Sequence, residues 1–263
     1  QLRIHGSAKR VRRMVEAGRF YIYSATFTFR RGRWWVSVNG VAAQFHHQRR
    51  VATHRHQSPV GVDLGVKSLA VVADAEGNLI EQREGVKALQ TALVQLKRAN
   101  QRLARTKPGS VGRRKARRRL NQIHGRIAAI RAHEAHEFSH WLVTNHASIT
   151  VEDLHVAGMT RLRSLARAVS DQGMGNLLKH IEYKAAWYGT QLHTADRWYP
   201  SSKTCSGCGQ VKETLKLSER DYVCGACGLV VDRDLNAAVN LARWGLREES
   251  AIQVESRPLQ VAA

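Results

Sequence analysis

Four cysteines lie in one short window, Cys205-x2-Cys208 and Cys224-x2-Cys227, and each pair runs into a glycine, in CSGCG and CGACG. Such turns aim two thiolates at one point, and two of them give a closed tetrahedral site suited to structural Zn2+. Two disulfides are disfavoured by the intracellular look of the chain, and a redox pair by the knuckle glycine after both pairs. With four protein ligands no coordination position is left open, so this metal folds a loop too small to hold itself together.

A second set of residues is acidic. Asp63 stands inside PVGVDLGVK, Glu152 inside SITVEDLHV, and Asp234 at a helix start in LVVDRDLNAAVN. Strand side chains alternate, so an acid in an apolar run is either edge-exposed or held inward for a purpose. Taken alone, Asp234 reads as a helix N-cap. Taken together, the three suggest a shared site. Clustered carboxylates repel one another and have raised pKa values unless cations neutralise them. Their hard oxygens suit Mg2+ or Mn2+. In a basic protein, two such ions would polarise a phosphodiester, activate water and stabilise the leaving oxygen, which is nuclease chemistry. Asp232 competes with Asp234 for the third role and Asp153 with Glu152 for the second, and the alternation in ITVEDL does not choose between the latter pair.

The charge balance names the partner class. Across 263 residues, 42 Lys and Arg face 21 Asp and Glu, a net charge of +21 that a polyanion would neutralise. The hydrophobic share of 43% is that of a globular chain and excludes disorder as the default. The absence of long apolar runs and of a hydrophobic signal core predicts a soluble, cytoplasmic protein without a membrane partner. The chain opens on Gln1 rather than Met, which suggests that an upstream part is missing. Between Gly85 and His133 there are fourteen Lys or Arg and no Asp or Glu. A solvated helix mixes signs, so this stretch predicts a phosphate-facing surface carried by Lys97, Arg98, Arg102, Arg105, Arg113, Arg114, Lys115, Arg117 and Arg118. Arg161, Arg163 and Arg167 after the second acid, and Lys203 with its hydroxyl neighbours beside the first cysteine knuckle, are further candidates for phosphate contact. His46, His47, His54 and His56 lie among arginines in a polar linker and lack the partners of a metal site.

The positioning elements follow from pattern. FYIYSATFTFRRGRWWVSVNGVA reads as a β-hairpin in which adjacent Trp34 and Trp35 face opposite sides, one of them into a core. Residues 60 to 84 read as three antiparallel strands. Two helices between 86 and 144 are separated by TKPGSVG. A buried strand at ASITVEDLHV, the helix GNLLKHIEYKAAWYGTQL and a strand in TQLHTADRWYP complete an α/β order.

GVDLGVKSLAVV, ITVEDLHVAGM, SSKTCSGCG and CGLVVDRDLNAAVN resemble the three catalytic motifs and zinc finger of the TnpB (OrfB) proteins encoded by transposons, which are related to type V CRISPR effectors. The resemblance covers roughly residues 58 to 245. It implies a RuvC-like nuclease of RNase H-like fold, a mixed sheet with an inserted basic helical hairpin and a small four-cysteine zinc-ribbon insertion. It also implies an RNA-guided endonuclease that cuts target DNA with a guide RNA from the transposon end. Asp63, Glu152 and Asp234 would hold the Mg2+ or Mn2+ ions, the family's acid two places before NAA selecting Asp234. The implied organisation is a partial β-rich, guide-binding domain and linker at 1–57, and a nuclease core at 58–200 with the basic insertion at 86–144. A zinc finger at 201–230, the last nuclease motif at 231–245 and a tail at 246–263 follow. A guide-dependent DNA-binding regulator or transposition accessory without cleavage is the alternative reading.

Overall fold

The computed structural model describes residues 8–30, 33–42, 58–65, 68–84, 87–159, 161, 173–216 and 218–255. The histidine-rich linker, Arg163 and Arg167 lie outside them. The chain forms two compact units, Gln1–Arg50 with Lys87–Ile130, and Val51–Val86 with Arg131–Ala263.

In the first unit, α1 (Ala8–Glu16) precedes the antiparallel pair β1 (Phe20–Arg30) and β2 (Arg33–Ala42), in register from Phe20 with Ala42 to Arg30 with Arg33. Trp34 and Trp35 are both exposed, as are Tyr21, Tyr23, Phe27 and Phe29. The expectation that one tryptophan enters a core is therefore corrected: two strands alone do not enclose an interior. The same unit contains α2 (Lys87–Ala104) and the first part of α3 (Val111–Asn145), sealed by Ala92, Ile123 and Ile127 with Leu89, Leu93 and Leu96 around them. Ser110 Oγ accepts the Arg113 N–H at 3.1 Å and starts α3.

The second unit is built on a mixed five-stranded sheet in the order β5-β4-β3-β6-β7. β3 (Val60–Asp63), β4 (Ser68–Asp74) and β5 (Leu79–Glu84) are antiparallel neighbours, as their three short apolar runs predict. β6 (Ser148–Glu152) lies parallel to β3, and β7 (Gln191–Ala195) parallel to β6. One face carries Val60, Val62, Ile149 and Val151 against Phe138 and Leu142 of α3 and against Leu177 and Ile181 of α5 (Met174–Tyr188). A short α4 (Val156–Met159) follows β6. The other face receives α6 (Arg233–Glu255), whose Leu235, Ala238 and Val239 pack on Val71 and Ala73.

Two glycines let α6 lie directly on the sheet. A Cβ on Gly61 would stand 1.9 Å from the Ala238 carbonyl oxygen, and one on Gly245 2.1 Å from Thr150 Oγ1. Any larger residue at either place would lift the helix off β3 or β6, moving whatever α6 carries at its start. α6 runs on to Glu255, so residues 246–255 continue the helix. β7 stops at Ala195, and a turn rather than a strand leads to Pro200. The hairpin β8 (Asp221–Val223) and β9 (Val230–Asp232) carries the second cysteine knuckle and ends at α6. Among the described residues no helix is long and apolar enough to cross a membrane.

Candidate carboxylate site and thiolate centre

Val62 pairs with Val151 across β3 and β6, so the next residues, Asp63 and Glu152, leave the two parallel strands side by side. Their parity decides the face. Val60, Val62, Ile149 and Val151 belong to the α3 and α5 side, so Gly61, Asp63, Thr150 and Glu152 point to the α6 side. Asp234, in the first turn of α6, is there to meet them and is only 9% exposed.

The electrostatics record the meeting. Burial pushes the Asp63 carboxyl well above the usual carboxylate range, the charges of Glu152 and Asp234 push it further, and Arg233 pulls the other way. Burial also raises Glu152, while a hydrogen bond from the Ser201 hydroxyl lowers it. Both side chains keep part of their surface open. Asp234 Oδ1 accepts from Arg233 Nη2 at 3.2 Å, and Arg233 Nη1 donates to the Glu219 carbonyl at 3.1 Å. The charges of Glu152 and Asp234 reach Asp63, so the three acids face one another, and carboxylate oxygens of this kind suit a hard divalent cation. Among the described residues, only the four cysteines place their ligand atoms all within 4.8 Å of one another.

The neighbouring acids do other work. Asp232 Oδ1 accepts the N–H groups of Asp234 at 2.9 Å and Leu235 at 3.1 Å, which makes Asp232 the N-cap of α6 and corrects the capping role read for Asp234. Asp153 is exposed and pairs with Arg197 at 2.7 Å.

In the cysteine module, the four Sγ atoms of Cys205, Cys208, Cys224 and Cys227 lie within 4.8 Å of one another. Gly209 (φ 80°) and Gly228 (φ 76°), the residues after each pair, hold the left-handed conformation that closes each knuckle. The Gly207 N–H points at Cys205 Sγ at 3.3 Å, and the Ala226 N–H at Cys224 Sγ at 3.4 Å. Backbone N–H groups of Cys227 and Ala226 bring Cys224 down to about 6, favouring the thiolate that a metal needs. Buried Tyr222 braces the module, its hydroxyl donating to the carbonyls of Lys203 at 3.0 Å and Gln210 at 3.3 Å.

Sequence reasoning missed the residues that join this module to α6. Asn236 Oδ1 accepts the Ser206 N–H at 2.9 Å, and Asn236 Nδ2 donates to the Thr204 carbonyl at 2.7 Å. Asn240 Nδ2 donates to the carbonyls of Ser201 at 2.8 Å and Thr204 at 2.6 Å. One turn apart in LNAAVN, the two asparagines share a helix face, and that spacing is the signal that could have found them. They strap the first knuckle, and the serine that holds Glu152, onto the helix that carries Asp234.

Of the basic candidates, Lys97, Arg98, Arg102, Arg105, Arg114, Lys115, Arg117, Arg118 and Arg161 are exposed. Arg113 is engaged inside its own unit, Nη1 donating to the carbonyls of Thr106 at 3.1 Å and Leu103 at 3.4 Å, so it closes the end of α2. Lys203 Nζ donates to the Glu213 carbonyl at 3.0 Å within the cysteine module.

Residues 42–163 match the family model OrfB_IS605, described as "Probable transposase", and residues 175–241 match "Cas12f1-like, TNB domain". A protein of Mycobacterium tuberculosis (strain CDC 1551 / Oshkosh) named "Putative RNA-guided DNA endonuclease MT2953" is 38% identical over 249 residues, 92% of this chain and 53% of the relative. A "Putative RNA-guided DNA endonuclease" of Streptomyces pristinaespiralis is 36% identical over 217 residues, 82% of this chain and 51% of the relative. The chain spans about half the length of these curated relatives. A structure titled "Cryo-EM structure of CRISPR-Cas12f Ternary Complex" shares the fold, with a TM-score of 0.54 at 17% identity over 90% of this chain and 48% of that one.

Proposed function

This chain belongs to the TnpB (OrfB) family of transposon-encoded proteins, and from that premise we propose that it is the nuclease part of an RNA-guided DNA endonuclease, with Asp63, Glu152 and Asp234 as the residues that cut. The observation that carries the reading is the convergence of the three acids on the α6 side of the β3–β6 edge, with Asp63 raised by burial and by the other two. The second unit is read as RNase H-like, its mixed sheet presenting acids from two adjacent parallel strands and one helix start. The sequence divisions at 57, 200 and 230 are kept as proposed functional segments, with the last nuclease segment extended along α6 to Glu255.

Divalent ions bound there, Mg2+ or Mn2+, would supply the positive charge that polarises a phosphodiester and acidifies water. The chain's own residues prepare the site. Burial raises Asp63 and Glu152, with the charges of Glu152 and Asp234 adding to it at Asp63, so a bound cation would favour the deprotonated form of both. Ser201 fixes which way the Glu152 carboxylate turns, and Asp232 fixes the start of α6 and so Asp234. The four cysteines are read as ligands of structural Zn2+ that keeps Ser201 and α6 in register through Asn236 and Asn240.

The partners proposed are target DNA and a guide RNA from the transposon end. The exposed basic residues between Lys97 and Arg118 would follow their phosphates without reading sequence, which base pairing reads. The test is cleavage of a plasmid carrying a matched target beside a randomised flank, using protein co-expressed with its downstream transposon-end RNA, in Mg2+, against an Asp234→Ala control. Cuts that need the RNA and vanish in the variant support the reading. A protein that holds RNA and occupies the target while leaving it intact is instead a guide-dependent DNA-binding regulator or transposition accessory.

A further inference from the structure

Ala195 pairs with Glu152 at the end of β7, so the turn that follows leaves the sheet at the edge where Asp63 and Glu152 stand. Trp198 on this turn is 84% exposed, the highest value among the large apolar side chains described. Its backbone is nonetheless held from several sides. The Trp198 N–H donates to Asp196 Oδ1 at 2.8 Å, the Tyr199 N–H to the Asp196 carbonyl at 2.9 Å, and the Ser201 N–H to the Tyr199 carbonyl at 2.8 Å. Tyr199 Oη donates to the Asn240 carbonyl at 3.2 Å, which ties the turn to α6. Before the indole, Arg197 is paired with Asp153; after it, Ser201 reaches Glu152. An indole is thus presented to solvent on a hydrogen-bonded turn whose Arg197 and Ser201 reach Asp153 and Glu152 at the end of β6.

We propose that Trp198 is a stacking platform for one nucleobase of the strand held at the carboxylate site, an inference that rests on reading that site as a nuclease centre. Trp187 makes the contrast. It is half exposed, but its ring meets Tyr183 edge-on at 4.8 Å in a ladder that continues to His180, so packing already engages it. The Trp198 indole instead gains by covering its large apolar faces. Every base offers a π-face, so stacking anchors a strand without choosing its sequence, as a guided nuclease requires. Because the turn is already ordered, little conformational freedom is lost on binding. Fixing one base also fixes which phosphate along the strand meets the acids.

The test separates stacking from cutting by using the Asp63→Asn chain, in which cleavage is expected to be too slow to degrade the oligonucleotide. A fluorescein-labelled single-stranded DNA of about ten nucleotides is titrated by anisotropy, with Trp198, Trp198→Phe or Trp198→Ala, and with one abasic position walked along it. The expected loss for Trp198→Ala is about fivefold to a hundredfold in affinity, less for Trp198→Phe, and no further loss at the one position where the abasic oligonucleotide has already given it up. Matching thermal melts of the variants exclude misfolding as the cause. The proposal is overturned by no measurable binding of the oligonucleotide, by equal affinities of Trp198 and Trp198→Ala, or by an alanine penalty that stays the same at every abasic position. If stacking holds while wild type never cuts, the nuclease reading alone fails; if wild type cuts and the affinities are equal, the stacking proposal alone fails.

Discussion

The four thiolates come from the single window Cys205–Cys227 and meet through two local turns, whereas the three carboxylates come from positions 63, 152 and 234 and meet only after five strands and a helix have assembled. The two clusters therefore relate to their cations in opposite ways. The thiolate module is a small hairpin with a slight core of Cys205, Tyr222 and Cys224, so on the proposed reading its order would depend on the ion. On the same reading the carboxylates are held by the sheet in advance. The burial that raises Asp63 and Glu152, with the charges of Glu152 and Asp234 added at Asp63, would cost stability at neutral pH until a cation offset it. One site would then be folded by its metal and the other destabilised without it.

The harshest way to break this contrast is Cys224→Ser. The variant is expected to purify without stoichiometric zinc and to lose hydrogen-exchange protection across 205–232. Because Asn236 and Asn240 carry the first knuckle, cleavage should fall with it, by about a hundredfold or more. Retained zinc, or intact cleavage without it, would break the link between the two sites.

Asp63→Asn is expected to lower cleavage by about a thousandfold or more and yet to raise the melting temperature of the metal-free protein. The sign follows from the raised pKa of Asp63 and Glu152. In the window between the unfolded carboxylate value and the raised folded value the native state binds more protons, so metal-free stability falls as pH rises. Mg2+ should reverse that fall in the wild type. Thermal melts across pH, with Mg2+ or chelator, check both slopes, and Asp63→Asn should flatten them.

Ser201→Ala removes the hydroxyl that lowers the Glu152 carboxyl. Its pKa should rise further, and cleavage should fall about tenfold with a higher Mg2+ requirement. The smallest effect belongs to Asp232→Ala, which removes the α6 cap at a cost of about 1 kcal/mol in denaturant unfolding while leaving most cleavage. Abolished cleavage with unchanged stability would exchange the roles of Asp232 and Asp234.

The strands of the second unit were legible because β-branched runs bounded by turn residues say where a chain must be extended, and the knuckles because CxxCG is a local geometry. The faces were not. ITVEDL alternates equally well either way, and only the packing of Val151 against α3 and α5 turns Glu152 toward α6 and leaves Asp153 to Arg197. The cap was within reach, since an aspartate just before a helix bonds the N–H groups two and three residues on, and VVDRDL carries that pattern at Asp232. α1 was also readable from the spacing of Val11, Met14 and Val15, though its many charges obscured it. Arg113 looked like its basic neighbours because nothing in a charge run says which member will meet a helix end. The exposure of both Trp34 and Trp35 is a tertiary fact that alternation alone does not contain.

The central claim is that the three carboxylates form one cation site whose buried Asp63 and Glu152 carboxyls give up protons as it fills. Calorimetric titration of Mn2+ into the zinc-loaded chain, in mildly acidic buffers of different ionisation enthalpy, tests it most directly. The account predicts saturable binding accompanied by proton release, with both lost in Asp63→Asn. Identical heats for the two proteins, or binding without proton release, would contradict it.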